Sequence, residues 1–213
     1  MSHKELLSAL AMVLTVAGFL PYIRGILKGT VQAHVFSWVI WGTTTLVVFL
    51  AQLQAHGGAG AWAIGVSAGI TVLIAALAFA RRGDLAITRS DWLFFTAAMA
   101  SLPLWYLNTD PMWAVVLLTV VDITGFGPTL RKAYRFPHAE SLGFFALFLL
   151  RNLIVILALE SYSVTTVLFP AAVALACAGL IGVVWLRRRQ LAPLPAAPHT
   201  TRSLRDSHTA ARR

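Results

Sequence analysis

Seven apolar blocks, each about twenty residues long, divide this chain at about 5–27, 35–55, 58–80, 91–107, 111–131, 140–160 and 163–186. A helix needs roughly 20 apolar residues to cross a hydrocarbon core of about 30 Å. A chain of 213 residues with seven such blocks has little left over for anything but a helical membrane bundle. Composition agrees. Of the residues, 58% are hydrophobic and 12% charged, against about 25% charged in soluble domains. The connectors are short: GTVQAH, AHGG, RRGDLAITRS, NTDP, KAYRFPHAE and ESYS.

The net charge of +9 raises nucleic acid as a partner. Its distribution argues otherwise. The basic residues sit in short clusters between apolar blocks and in the tail, as in cytoplasmic loops. The lone Cys177 lies inside an apolar block, which leaves no disulfide framework and no cysteine metal site. The N-terminus has the apolar core of a signal peptide, but the run continues through Phe19 and Ile23 without a small-x-small cleavage site. It reads as a retained first helix. From Arg187 the chain is rich in Pro, Ala, Ser, Thr and Arg, so a disordered tail is expected, with Arg187, Arg188 and Arg189 as a stop-transfer anchor.

Charge sets the orientation. Arg24 and Lys28 follow block 1, and Arg81, Arg82 and Arg89 lie between blocks 3 and 4. Arg131, Lys132 and Arg135 follow block 5, and the three tail arginines follow block 7. The alternate connectors carry Asp110 and Glu160, with Lys4 as the exception at the start. The positive-inside rule predicts an N-terminus outside and a C-terminus inside. Trp62, Trp105 and Trp113 fall at expected outer ends, and Trp92 and Trp185 at inner ends, as interfacial anchors do.

Two basic corners resemble each other. Gly18, Phe19, Pro21 and Arg24 recur as Gly125, Phe126, Pro128 and Arg131, four identities in seven positions at an offset of 107. Without a gap, Lys28 then meets Arg135, Trp38 meets Phe145 and Trp41 meets Phe148. Both corners exit on the same side. Two three-helix units can be parallel only with one extra crossing between them, and block 4 supplies it. Such repeats are common in transporters, with the substrate site at their interface near the midplane.

A three-helix repeat, a linker helix and a second repeat, each with a proline near the inner end of its first helix, resemble the SWEET and PQ-loop superfamily, which includes the SemiSWEET sugar transporters, cystinosin-like transporters and KDEL receptors. The resemblance covers about residues 5–186. The Pro-Gln pair is replaced by Pro21-Tyr22 and Pro128-Thr129, and the Asn that sugar sites of the family use on the third helix is absent from blocks 3 and 7. The resemblance implies an all-α polytopic fold of seven transmembrane helices, two parallel three-helix bundles joined by a linker helix. The expected division is 1–82 for the first repeat, 83–108 for the linker, 109–186 for the second repeat and 187–213 for the tail. It does not imply sugar.

Pro21 and Pro128 each free a backbone carbonyl and bend a helix. They read either as structural kinks or helix ends, or as hinges of alternating access. Asp122 and Arg151 lie about eleven residues into blocks 5 and 6, near the midplane. A charge there costs from about 3 kcal/mol upward and must face a partner, the bundle interior or water. Similar depth on sequential antiparallel helices suggests an Asp122–Arg151 ion pair, with Asn152 beside it. The pair reads as a structural bridge or as pathway and gate. Thr15, Thr44 and Thr45 stand at the matching places in the first repeat, so chemistry is expected in the second half.

His34, Trp38 and Trp41 share a face of block 2, as a stacking platform for a ring solute or as aromatic packing. Gly65 and Gly69, and Ala174, Ala178 and Gly182, are spaced for close helix approach. Ser67, Thr71, Thr165 and Thr166 are further candidates for solute contact. No metal cluster, phosphate loop or nucleophile elbow is present, so an intramembrane enzyme built on Asp122 and Arg151 is the weakest reading. The leading expectation is a plasma-membrane transporter or facilitator of a small polar solute, with proton coupling and homo-oligomerisation left open. The alternative is a non-transporting receptor or assembly protein of the same fold. A cavity lined by Asp122 or Arg151 favours the first, and a sealed midplane with the two paired favours the second.

Overall fold

The computed structural model describes residues 2–31, 33, 35–81, 89–107, 111–139 and 141–191. These form α1 (His3–Leu27), α2 (Val35–Gln54), α3 (Ala61–Ala80), α4 (Arg89–Leu107), α5 (Met112–Arg135), α6 (Leu142–Ala158) and α7 (Val164–Gln190), with short 3-10 turns at Gly58–Gly60 and Pro137–Ala139. There is no strand among the described residues. α1, α2, α3 with its leading turn, and α7 are long and apolar enough to cross a membrane, whereas the apolar stretches Met112–Phe126 and α6 are shorter.

Helix ends follow local chemistry. Ser2 and Glu5 form a capping box at the start of α1, and Ser163 and Thr166 form another at the start of α7. Ser141 caps α6 by accepting from the Phe144 N–H. These side chains satisfy amides that a helix start leaves without a partner. Between α2 and α3 the chain turns at Gly58, which has a φ of +61°. A side chain there would also collide with the Glu160 carboxylate, so only glycine fits.

α3 packs between α1 and α2, and α7 packs between α5 and α6. The two triplets thus share one order, first–third–second. They meet along two seams, α1 with α6 and, more lightly, α2 with α5. α4 lies against α5 and α2, where Phe36, Trp92 and Phe95 cluster with ring centroids 5.4 to 5.9 Å apart.

The seams carry matching contacts. A Cβ on Gly18 would lie 2.6 Å from Phe148 Cε2, whereas a Cβ on Gly125 would lie 3.6 Å from Trp41 Nε1. At the offset of 107, Gly18 corresponds to Gly125 and Trp41 to Phe148. One contact therefore occurs twice, tight in the α1–α6 seam and loose in the α2–α5 seam.

Several expectations change. α7 continues through Arg187, Arg188 and Arg189 to Gln190 instead of ending before them. Its arginines are held. Arg187 Nε donates to the Tyr134 carbonyl at 3.1 Å with its guanidinium 4.2 Å from the Tyr134 ring centre, and Arg188 Nε donates to the Pro137 carbonyl at 3.0 Å. Residues 192–213, the rest of the expected tail, lie outside the described residues. Pro21 is neither a helix end nor a break, since α1 runs on to Leu27. Pro128 likewise lies within α5. Gly65 does permit close packing, since a Cβ there would come within 2.8 Å of the Phe49 ring, but a Cβ on Gly69 or Gly182 would meet nothing within 4 Å, and Ala178 is exposed. Trp62, Trp92, Trp113 and Trp185 are all exposed at helix ends, as interfacial anchors require.

The tight seam predicts an asymmetric response to one added methyl. Gly18→Ala overpacks against Phe148 and should destabilise the protein by about 1–3 kcal/mol. Gly125→Ala has room and should be neutral or stabilising by up to about 1 kcal/mol. Thermal unfolding in detergent micelles reads the difference, and equal shifts would contradict the seam assignment.

Candidate functional site

Arg151 is the most buried charge among the described residues, at 3% exposure in α6. Its Nε donates to Thr15 Oγ1 of α1 at 2.9 Å, Nη1 to Asn152 Oδ1 at 2.9 Å and Nη2 to the Ala63 carbonyl of α3 at 2.6 Å. Asn152 is fixed in turn, its Nδ2 donating to the Phe148 carbonyl at 2.8 Å. All three acceptors are neutral. A guanidinium has five N–H groups, so two remain beyond these bonds.

The expected Asp122–Arg151 ion pair is not formed. α5 and α6 are sequential, but α7 packs between them, so equal depth does not make them neighbours. Arg151 turns to α1 and α3. Among the described residues, nothing hydrogen-bonds or ion-pairs with the Asp122 carboxylate. Asp122 and Arg151 nevertheless line one cavity of about 200 Å³ between the two triplets, together with Asn152.

That cavity has aromatic walls. Trp38 and Trp41 stand edge to face, with centroids 5.2 Å apart and planes at 87°. Phe19, Phe126, Phe144, Phe145 and Phe148 complete the lining on α1, α5 and α6. Trp38 is buried, and its Nε1 donates to the Tyr22 hydroxyl at 3.2 Å. A larger space of about 730 Å³ shares all of these aromatic residues except Phe148 and extends along α1, α2, α5 and α6 toward the basic helix ends. Pro21 and Ala17 line it. Proline has no N–H to offer the carbonyl four residues earlier, so the Ala17 carbonyl is freed beside the opening.

Other candidates divide. Thr45, Ser67 and Thr71 line the inner cavity. The Thr45 hydroxyl donates to the Trp41 carbonyl, and that of Thr71 to the Ser67 and Ala68 carbonyls. Thr44 is fully buried with its hydroxyl on the Trp41 carbonyl and is absent from the lining. Thr165 and Thr166 belong to the opposite end, where Thr166 caps α7. His34 lies outside the described residues, and so does the side chain of Pro128. Cys177, expected to be a small packing residue, is buried and lines the cavity with Arg151.

The end opposite the basic corners is fastened. Lys4 Nζ donates to the Leu159 carbonyl at 2.6 Å, and Ser8 Oγ to the Ala59 carbonyl at 2.5 Å. The Glu160 N–H donates to the Gly57 carbonyl, and the Ala59 N–H to Glu160 Oε1. Gln52 Nε2 reaches the Thr166 carbonyl at 2.8 Å. Below this latch, fully buried Ala11, Val48, Ile64, Leu118 and Val155 form an apolar plug. Sequence reasoning missed the latch because its acceptors are mostly backbone carbonyls, which leave no residue signature. It missed the phenylalanine wall because phenylalanine is equally common facing lipid.

An all-α chain with membrane-span-length helices around a charged internal cavity is a membrane-embedded protein. Comparison with family models, with curated proteins and with solved structures finds no match.

The two charges should differ in their importance for folding. Thr15→Val removes a buried acceptor from Arg151 and should lower stability by about 1–3 kcal/mol. Asp122→Asn breaks no contact, and its unfolding midpoint should match that of the wild type. A large loss of stability in Asp122→Asn would reveal a partner for this carboxylate.

Proposed function

We propose that this chain is a multi-pass transporter or facilitator of a small polar solute. Two three-helix repeats, α1–α3 and α5–α7, rock about a central site, with α4 as the linker. The observation that carries the reading is the cavity between the triplets, lined by Asp122 and an Arg151 that is not paired with it. Intramembrane charges without mutual pairing mark solute or proton paths more readily than packing devices. A receptor or assembly protein with a sealed midplane would instead be expected to pair the two charges.

The asymmetry of the two ends fits alternating access. The wide space toward the basic ends and the latch at the other correspond to one open face and one closed face. By the positive-inside rule, the open face is cytoplasmic and the N-terminus is outside, and the membrane of this reading is the plasma membrane. The shared first–third–second order of the triplets and the recurring Gly–aromatic contact support the repeat relation and, with it, the resemblance to the SWEET and PQ-loop superfamily. Pro21 and Pro128 are the hinges of this motion, and Asp122 is the group through which a proton would couple.

Three measurements test the reading. Proteoliposomes screened against a panel of small polar solutes should show flux above protein-free vesicles for at least one, and flux for none would reject transport. In a Cys177→Ser background, Gly57→Cys with Thr166→Cys should form a disulfide across the latch from one triplet to the other, since a Cβ on Gly57 would lie 3.5 Å from Thr166 Cγ2. Oxidation should stop that flux and reduction restore it. Asp122→Asn and Arg151→Gln should each change the uptake or its pH dependence, and unchanged uptake in both would remove them from the pathway.

A further inference from the structure

The two charges and the aromatic walls together specify a ligand chemistry. We propose that the central cavity binds a small zwitterion that carries an N-methylated ammonium and a carboxylate, the betaine class. The inference rests on the transport reading only for its consequence, flux, and not for binding itself.

Charge comes first. Arg151 is buried on neutral acceptors with N–H groups to spare, and Asp122 opens onto the same cavity without a partner. Each charge in a low-dielectric site is stabilised by an opposite one. A simple cation would answer Asp122 and leave Arg151 uncompensated. A simple anion would do the reverse. One zwitterion answers both and adds no net charge to the membrane interior.

Hydrogen-bonding capacity comes next. A sugar needs many well-placed donors and acceptors. Here the hydroxyls of Thr45 and Thr71 donate to backbone carbonyls, and the Asn152 amide uses its oxygen on Arg151 and its nitrogen on Phe148. Apart from Ser67, Val173 and Cys177, the walls that remain are ring faces and edges. They suit a cation whose surface is methyl groups, because aromatic rings attract methylated ammonium through their negative faces without needing N–H donors. Trp38 and Trp41, set at right angles to each other, line the cavity together with Phe126 and Phe144, and Asp122 of α5 lines it too. The inner volume of about 200 Å³ is below that of drug-sized ligand sites, about 300–1,000 Å³, and suits a metabolite.

The test is saturable binding to the full-length protein in detergent, with radiolabelled trimethylglycine as the probe and a parallel thermal shift. Trimethylglycine should bind and raise the unfolding midpoint. Choline, with the cation alone, and glycine, with an unmethylated ammonium, should each compete at least about tenfold more weakly. Glucose should not compete. Asp122→Asn should weaken binding at least about tenfold while its own midpoint stays at the wild-type value. Trp41→Leu should also weaken binding, and Trp41→Phe should keep most of it. No saturable trimethylglycine binding, or equal competition by glycine or glucose, overturns the assignment. Binding without flux in proteoliposomes would reject transport and leave the ligand class standing. Flux of another solute without trimethylglycine binding would do the opposite.

Discussion

The guanidinium of Arg151 fixes how the two halves of this protein meet. From α6 it reaches a hydroxyl on α1 and a carbonyl on α3, so a single side chain of the second triplet is anchored on two helices of the first. A charge at this depth cannot be left without hydrogen bonds, and rotating α6 away from α1 would break them together. The Gly18–Phe148 contact lies one helical turn further along the same seam and closes it sterically. Phe148 also supplies the carbonyl that orients Asn152, which then accepts from Arg151. Packing and polarity are thus coupled through neighbouring residues.

The second seam has the corresponding positions without the bonds. Where Arg151 meets Thr15, the matching pair is Thr44 and Asp122, and Thr44 spends its hydroxyl on its own helix. Where Gly18 is pressed by Phe148, Gly125 has a further ångström to Trp41. Internal symmetry of sequence therefore produces an asymmetric structure. With arginine at position 151 and aspartate at position 122, one interface is tethered and the other is loose. The cavity follows from that difference, because the loose seam leaves room for rings and a carboxylate that a second tether would have closed off.

Most of the fold was legible because each block is long and uniformly apolar. All seven blocks are helices, and every marked boundary lies within a few residues of the observed one apart from the extension of α5 and α7 into arginine-bearing ends. Asp122 and Arg151 were legible as site residues because charge is costly at that depth. Their pairing was not, since adjacency in sequence does not reveal that α7 intervenes. Thr44 and Thr45 looked alike in sequence, yet one faces the cavity and its neighbour does not. That distinction depends on helix rotation, and the fairly uniform hydrophobicity of these helices gives little amphipathic signal to set it.

The latch is of a kind that water can replace. It is built from hydrogen bonds at helix ends, most of them to backbone carbonyls, and all of these groups find water readily once exposed. Gln52 is the exception that favours opening. Its Nε2 is satisfied by the Thr166 carbonyl, but its Oε1 is buried without a partner. An unsatisfied buried acceptor costs about 1–3 kcal/mol, a penalty that applies only while this end is closed. Parting α2 from α7 would give up one hydrogen bond and hydrate two polar atoms. The tethered α1–α6 seam has no comparable incentive to part, since Arg151 would be stripped of acceptors in an apolar surrounding. A motion that opens this end would therefore separate helices around Gln52 and keep Arg151 in place, turning the triplets about the seam that Arg151 holds.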